Sequence, residues 1–123
     1  MAQAVLVKVE LLHIEDCPGW RDAEVSTRAV LDDLGLTGLR IEVRELTADD
    51  ELRGAHFAGS PTILVDGQDI IAGAVPIEAL ACRIYTSPSG RAATPSRDQI
   101  RSAILGALDQ AATASTASSS AAK

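Results

Sequence analysis

The chain has 123 residues, 46% of them hydrophobic, which suffices for one packed domain and is too little for two. A net charge of -6, with lysines and arginines scattered singly, disfavours nucleic acid and anionic membranes as partners, and 2% aromatic content disfavours a stacking platform for bases or sugars. The opening MAQAVLVKVELL lacks a basic leader and no segment approaches the roughly 20 apolar residues of a membrane span, so a cytoplasmic location is expected.

Residues 5–14, VLVKVELLHI, read as an interior strand, because β-branched and leucine side chains follow one another with few polar breaks. From Pro18 the period changes. Ala23, Thr27, Val30, Leu31 and Leu34 recur at helical spacing, while Arg21, Asp22, Glu24, Arg28 and Asp32 take the opposite face. Pro18 suits a first helical position, Asp16 a cap and Gly35 the stop. Residues 39–46, LRIEVREL, alternate apolar and charged side chains as an edge strand does, and the intervening helix makes this strand parallel to the first. Thr47 is expected to cap a short helix through Ala55.

In PTILVDGQDIIAG, residues 61–73, two apolar runs around Asp66-Gly67 signal an antiparallel hairpin. PIEALACRIY, residues 76–85, places Ile77, Leu80, Ala81 and Ile84 at helical spacing and predicts a further helix. Residues 86–95 read as a loop. Ser96 with Gln99 forms a capping box for a last helix through Ala111, and ATASTASSSAAK, residues 112–123, reads as a disordered tail after a domain of residues 1–111.

Cys17 stands between the first strand and a helix N-terminus, where unpaired backbone N–H groups and the helix dipole favour a thiolate. Glu15 and Asp16 just before it oppose one. The alternative is a small hydrophobe at a turn. Pro61 opens a strand, the position proline tolerates, with either a trans or a cis bond before it.

A strand ending in Cys17-Pro18-Gly19-Trp20, a helix, a parallel strand and then Ser60-Pro61-Thr62 opening a hairpin together resemble the thioredoxin and glutaredoxin superfamily in compact form, over about residues 5–111. The resemblance implies a thioredoxin-like α/β fold, a four-stranded mixed sheet in order 2-1-3-4 flanked by helices. It also implies Cys17 as the thiolate that attacks a substrate disulfide, Pro61 as a cis-proline, and Ser60 as the residue whose backbone pairs with bound peptide or glutathione. Trp20, Ser60, Pro61 and Thr62 would then flank the substrate, with Asp16, Pro18 and Arg83 in support and no cofactor or metal required.

Trp20 stands where a dithiol enzyme of that superfamily carries its resolving cysteine. Resolution then falls to Cys82 or to an external thiol. On a helix over 76–85, Cys82 lies off the apolar stripe, which suits reactivity, contact with Cys17 or a second contact surface; Arg83 beside it would stabilise a thiolate or be solvated. The layout CPGW, GSPT and ACRIY also resembles sequences labelled organomercury-lyase-like, which implies two thiolates on a soft metal such as mercury and an acid, nearest in Asp16, that protonates carbon. A lyase's catalytic residues find no residue-by-residue match. His13 and His56 lack companions at zinc-site spacing, and no phosphate loop or nucleophile-elbow serine is present.

Three readings follow. The leading one is a thiol-disulfide oxidoreductase acting on a disulfide or glutathione-type substrate through Cys17, resolved by Cys82 or an external thiol. The second is a module of the same fold that holds a soft metal or a partner peptide without turnover. The third is an interaction protein with neither cysteine reactive. The substrate and the oligomeric state are not written in the sequence.

Overall fold

The computed structural model describes residues 8–15, 17, 19–47, 56–77, 79–88 and 90–121. Chain order is β1 (Val9–His13), α1 (Gly19–Asp33), β2 (Ile41–Glu45), β3 (Thr62–Val65), β4 (Gln68–Asp69), β5 (Tyr85–Ser87), β6 (Gly90–Ala92) and α2 (Arg97–Ala121). The roles given to Asp16 and Pro18, and the short helix expected after Thr47, lie outside the described residues.

A four-stranded mixed sheet runs in the order β2-β1-β3-β4. β1 is parallel to β2, with Leu11 opposite Val43, and antiparallel to β3, with Leu11 opposite Ile63. The continuous apolar runs of β1 and β3 are buried because both strands lie inside the sheet and are covered on both faces. Alternate side chains feed two cores. Val9, Leu11, Ile63 and Val65 meet Ala23, Val30 and Leu31 of α1 and Ile100 and Ile104 of α2 on one face. On the other, Leu12 and Leu64 pack with Ile14, Cys17, Leu46 and Phe57.

β2 lies at one end of this order, and it is wetter than its alternating pattern suggests. Even Val43 is 39% exposed, since among the described residues β2 pairs along one edge alone, with β1. Arg28, expected on a solvated face, instead donates to the carbonyls of Leu36 (2.9 Å) and Leu39 (2.6 Å) and ties α1 to the turn that leads into β2. The β3–β4 hairpin turns at Asp66 and Gly67, both at positive φ (53° and 81°), the geometry a two-residue hairpin loop demands.

The capping box forms as expected, with Gln99 N–H donating to Ser96 Oγ at 3.1 Å and Ser96 N–H to Gln99 Oε1 at 2.9 Å. α2 then runs to Ala121, past its expected end at Ala111, so most of the stretch expected as a disordered tail is helical. Alanine, the best helix former, recurs through ATASTASSSA.

Two further expectations fail between Pro76 and Pro95. Residues 86–95 hold the β5–β6 hairpin, with Thr86 opposite Arg91, rather than an unstructured loop. The helix expected over 76–85 does not form, because residues 79–85 are extended. Ala81, Arg83 and Tyr85 turn inward while Leu80, Cys82 and Ile84 are exposed. A count of apolar residues alone matched a helical period. It missed that Arg83 and Tyr85, each with a polar tip, are the residues the fold buries.

Candidate functional site

The sheet's second core delivers Cys17 to the loop before β3. Cys17 lies between β1 and α1, is 2% exposed, and its thiol donates to the Ser60 carbonyl oxygen at 3.2 Å. The Ser60–Pro61 bond is cis, so of the two forms left open in the sequence the cis form is present. Ser60 is fully buried, and its Oγ accepts the Ile14 N–H at 3.1 Å, which fastens the loop to the end of β1. Thr62 is also buried; its hydroxyl donates to the Gly59 carbonyl at 2.6 Å and accepts the Ala58 N–H at 3.0 Å. The Thr62 hydroxyl therefore braces the loop and does not face solvent.

Ser60 was expected to offer its backbone to a bound substrate. Those groups are held within the chain, since Ser60 N–H donates to Ala81 O at 2.7 Å and Ser60 O accepts the Arg83 N–H at 2.8 Å. Cys82 is the bridge partner of Ser60 in this pairing and is exposed. The two cysteines are thiols, not a disulfide, and they converge on one residue: Cys17 rests on the Ser60 carbonyl, and Cys82 lies about one strand spacing, roughly 4.8 Å, from Ser60.

The Arg83 side chain is engaged at the sheet edge. Its guanidinium grips Asp69 of β4 in bidentate fashion, at 2.7 and 3.0 Å, with both side chains 10% exposed, and lies 4.4 Å over the Tyr85 ring. Burial works against its charge, but the Asp69 hydrogen bond, aided by Tyr85 and by the Asp69 charge, outweighs burial and raises the pKa. Tyr85 donates its hydroxyl to Pro61 O at 2.5 Å. Arg83 and Tyr85 thus pin the residues around Cys82 to the loop that carries Pro61.

Burial also pushes the Tyr85 phenol well above its ordinary value of 10.0, more than the Arg83 charge opposes this. The folded chain therefore keeps a proton that the unfolded chain releases near pH 10, so this part of stability is complete below about pH 10 and declines above it. Urea midpoints between pH 8 and 11 should show the decline. Tyr85→Phe should lower the midpoint at pH 8 through loss of the hydroxyl bond and flatten the fall above pH 10; an equally steep fall in the variant would exclude Tyr85 as its source.

Trp20 is half-buried and stacks on His13, ring centroids 3.9 Å apart and 12° from parallel, with Arg21 over its ring at 4.7 Å. His13 is packed at the end of β1. Asp69, Tyr85, Gly59 and Phe57 escaped the sequence reading. The spacing of Arg83 and Tyr85 two residues apart was the available signal of an extended segment.

A hollow of about 180 Å3 lined by Ile14, Glu15, Leu46, Thr47 and Leu80 opens beside the Cys17 core. Larger hollows of about 380 and 410 Å3 flank the β3–β4 hairpin and include neither cysteine. Among the described residues no three His, Cys, Asp or Glu side chains group to hold a metal ion, and no helix is long and apolar enough to cross a membrane.

Compared with protein-family models, with curated proteins and with solved structures, the chain finds no significant match in any of the three.

Proposed function

We propose that this chain is a thioredoxin-like thiol-disulfide oxidoreductase of a reducing compartment such as the cytoplasm, with Cys17 as the attacking thiolate. The observation that carries the reading is the convergence of both cysteines on Ser60, with the Cys17 thiol resting on the Ser60 carbonyl just before α1 and Cys82 paired to Ser60 through the backbone. Cys17 attacks a substrate disulfide R-S-S-R', forming Cys17-S-S-R and releasing R'S-, which takes a proton from water. The Cys82 thiolate then attacks the Cys17 sulfur and expels RS-, leaving a Cys17-Cys82 disulfide. An external dithiol, or two glutathione-type thiols, reduces it and is itself oxidised.

The test is reduction of insulin, or of a glutathione mixed disulfide, with the Cys17→Ser and Cys82→Ser variants. Cys17→Ser should lose all activity above the external thiol alone. Cys82→Ser should accumulate a mixed disulfide on Cys17, visible as added mass. Full activity in Cys17→Ser would end the proposal.

The same convergence favours one second reading, in which the two thiolates hold a soft metal such as mercuric ion without turnover. One-to-one mercury binding that needs both cysteines, in a protein that reduces no disulfide, would select it.

A further inference from the structure

Cys17 is buried in the second core, and the Ser60 carbonyl that its thiol meets also accepts the Arg83 N–H. Outside the Ser60 carbonyl on which the thiol rests lies the extended segment 79–83, joined to Ser60 by the Ala81 and Arg83 main-chain bonds. Just before it, Ile77 N–H donates to Phe57 O at 2.7 Å, and Ile77 packs on the core cluster that contains Cys17. The segment itself buries little apolar surface, for Leu80 is 38% exposed and Ile84, just beyond it, 57%. A layer held by a few hydrogen bonds and one ion pair opens more readily than a packed core.

We propose that residues 79–83 are a strap over Cys17, latched by the Asp69–Arg83 ion pair, and that opening the strap is what admits a reactant to the thiol. This rests on the reading of Cys17 as the working thiol. The latch is a two-point side-chain grip between the strap and the two-residue strand β4, added to the main-chain bonds that join the strap to Ser60. Gly59 lets the strap lie close, since a Cβ there would stand 2.8 Å from the Arg83 Cβ. Lifting the strap frees the N–H and C=O of Ser60 in the same movement, so thiol and pairing edge become available together. Cys82 rides on the strap and moves with it.

The experiment measures iodoacetamide labelling of Cys17 by mass spectrometry in full-length Cys82→Ser protein, where no other thiol is present, with and without Asp69→Asn. Ile104→Val, in the core beneath α2, supplies a control for general destabilisation. Asp69→Asn should speed labelling about tenfold or more, while the control stays within about twofold of the parent. Should Asp69→Asn fail to fold, Arg83→Lys replaces it, keeping the charge without the bidentate fork, and should also accelerate labelling. Amide exchange at Ser60 and Arg83 should rise together in whichever variant is used.

Unchanged labelling in the latch variant overturns the strap, as does equal acceleration in the control or a parent that already reacts as fast as the urea-unfolded chain. The two proposals fail separately. Accelerated labelling without any insulin reduction retains the strap and removes the oxidoreductase, whereas insulin reduction with unchanged labelling does the reverse.

Discussion

Replacing Gly59 with alanine is expected to lower the unfolding free energy by about 2–4 kcal/mol and to detach residues 79–83 from Ser60. Gly59 has φ of 110°, a conformation that side chains rarely tolerate. The added Cβ would meet the Arg83 Cβ at 2.8 Å and its Cα at 3.4 Å. Neither atom lies at the end of a flexible side chain, so relief requires movement of the backbone. Either residues 58–60 rotate, which disturbs the carbonyl under Cys17, or the segment carrying Arg83 lifts. Both routes lose main-chain bonds that hold Ser60 to Ala81 and Arg83. Urea unfolding measures the total, and amide exchange at Arg83 measures the local release. A midpoint within about 0.5 kcal/mol of the parent would show that the loop yields without loss.

Phe57→Ala should cost about 3–5 kcal/mol, the loss expected when a fully buried phenyl ring leaves a partly collapsed cavity. Phe57 is 0% exposed and shares its cluster with Leu12, Ile14, Cys17, Leu46 and Leu64. Its carbonyl also holds Ile77, so the ring and the backbone at one position serve the core and the entrance to the strap. Phe57→Leu keeps much of the volume and should cost less than half as much. Denaturant melts of the two variants decide the matter. Equal losses would show that ring volume is not what matters at this position.

Legibility in the sequence tracks the range of the interactions involved. β1, α1, β2 and the β3–β4 hairpin were readable because each announces itself within a few residues: a continuous apolar run, a helical period that stops before Gly35, a charged alternation, an Asp-Gly turn. The capping box of α2 was readable for the same reason, since Ser96 and Gln99 are each other's partners. Residues 76–85 were misread because Ile77, Leu80, Ala81 and Ile84 satisfy a helical period. The alternative period of two is carried by Arg83 and Tyr85, whose burial depends on Asp69 and on the Pro61 carbonyl, both distant in sequence.

Within the candidate site, the nature of Cys17, its place at a helix start and the presence of Ser60-Pro61-Thr62 were determined by the sequence alone, because residue identity and neighbouring turns suffice for them. That Ser60 and Thr62 are buried and engaged, that Arg83 grips Asp69, and that Cys82 arrives on an extended segment beside Ser60 were decided by the tertiary structure. A helix over 76–85 would have satisfied its own backbone internally. The extended form leaves those groups to find partners elsewhere, and the Ser60 N–H and C=O, with the buried Asp69–Arg83 pair, are what stabilise it.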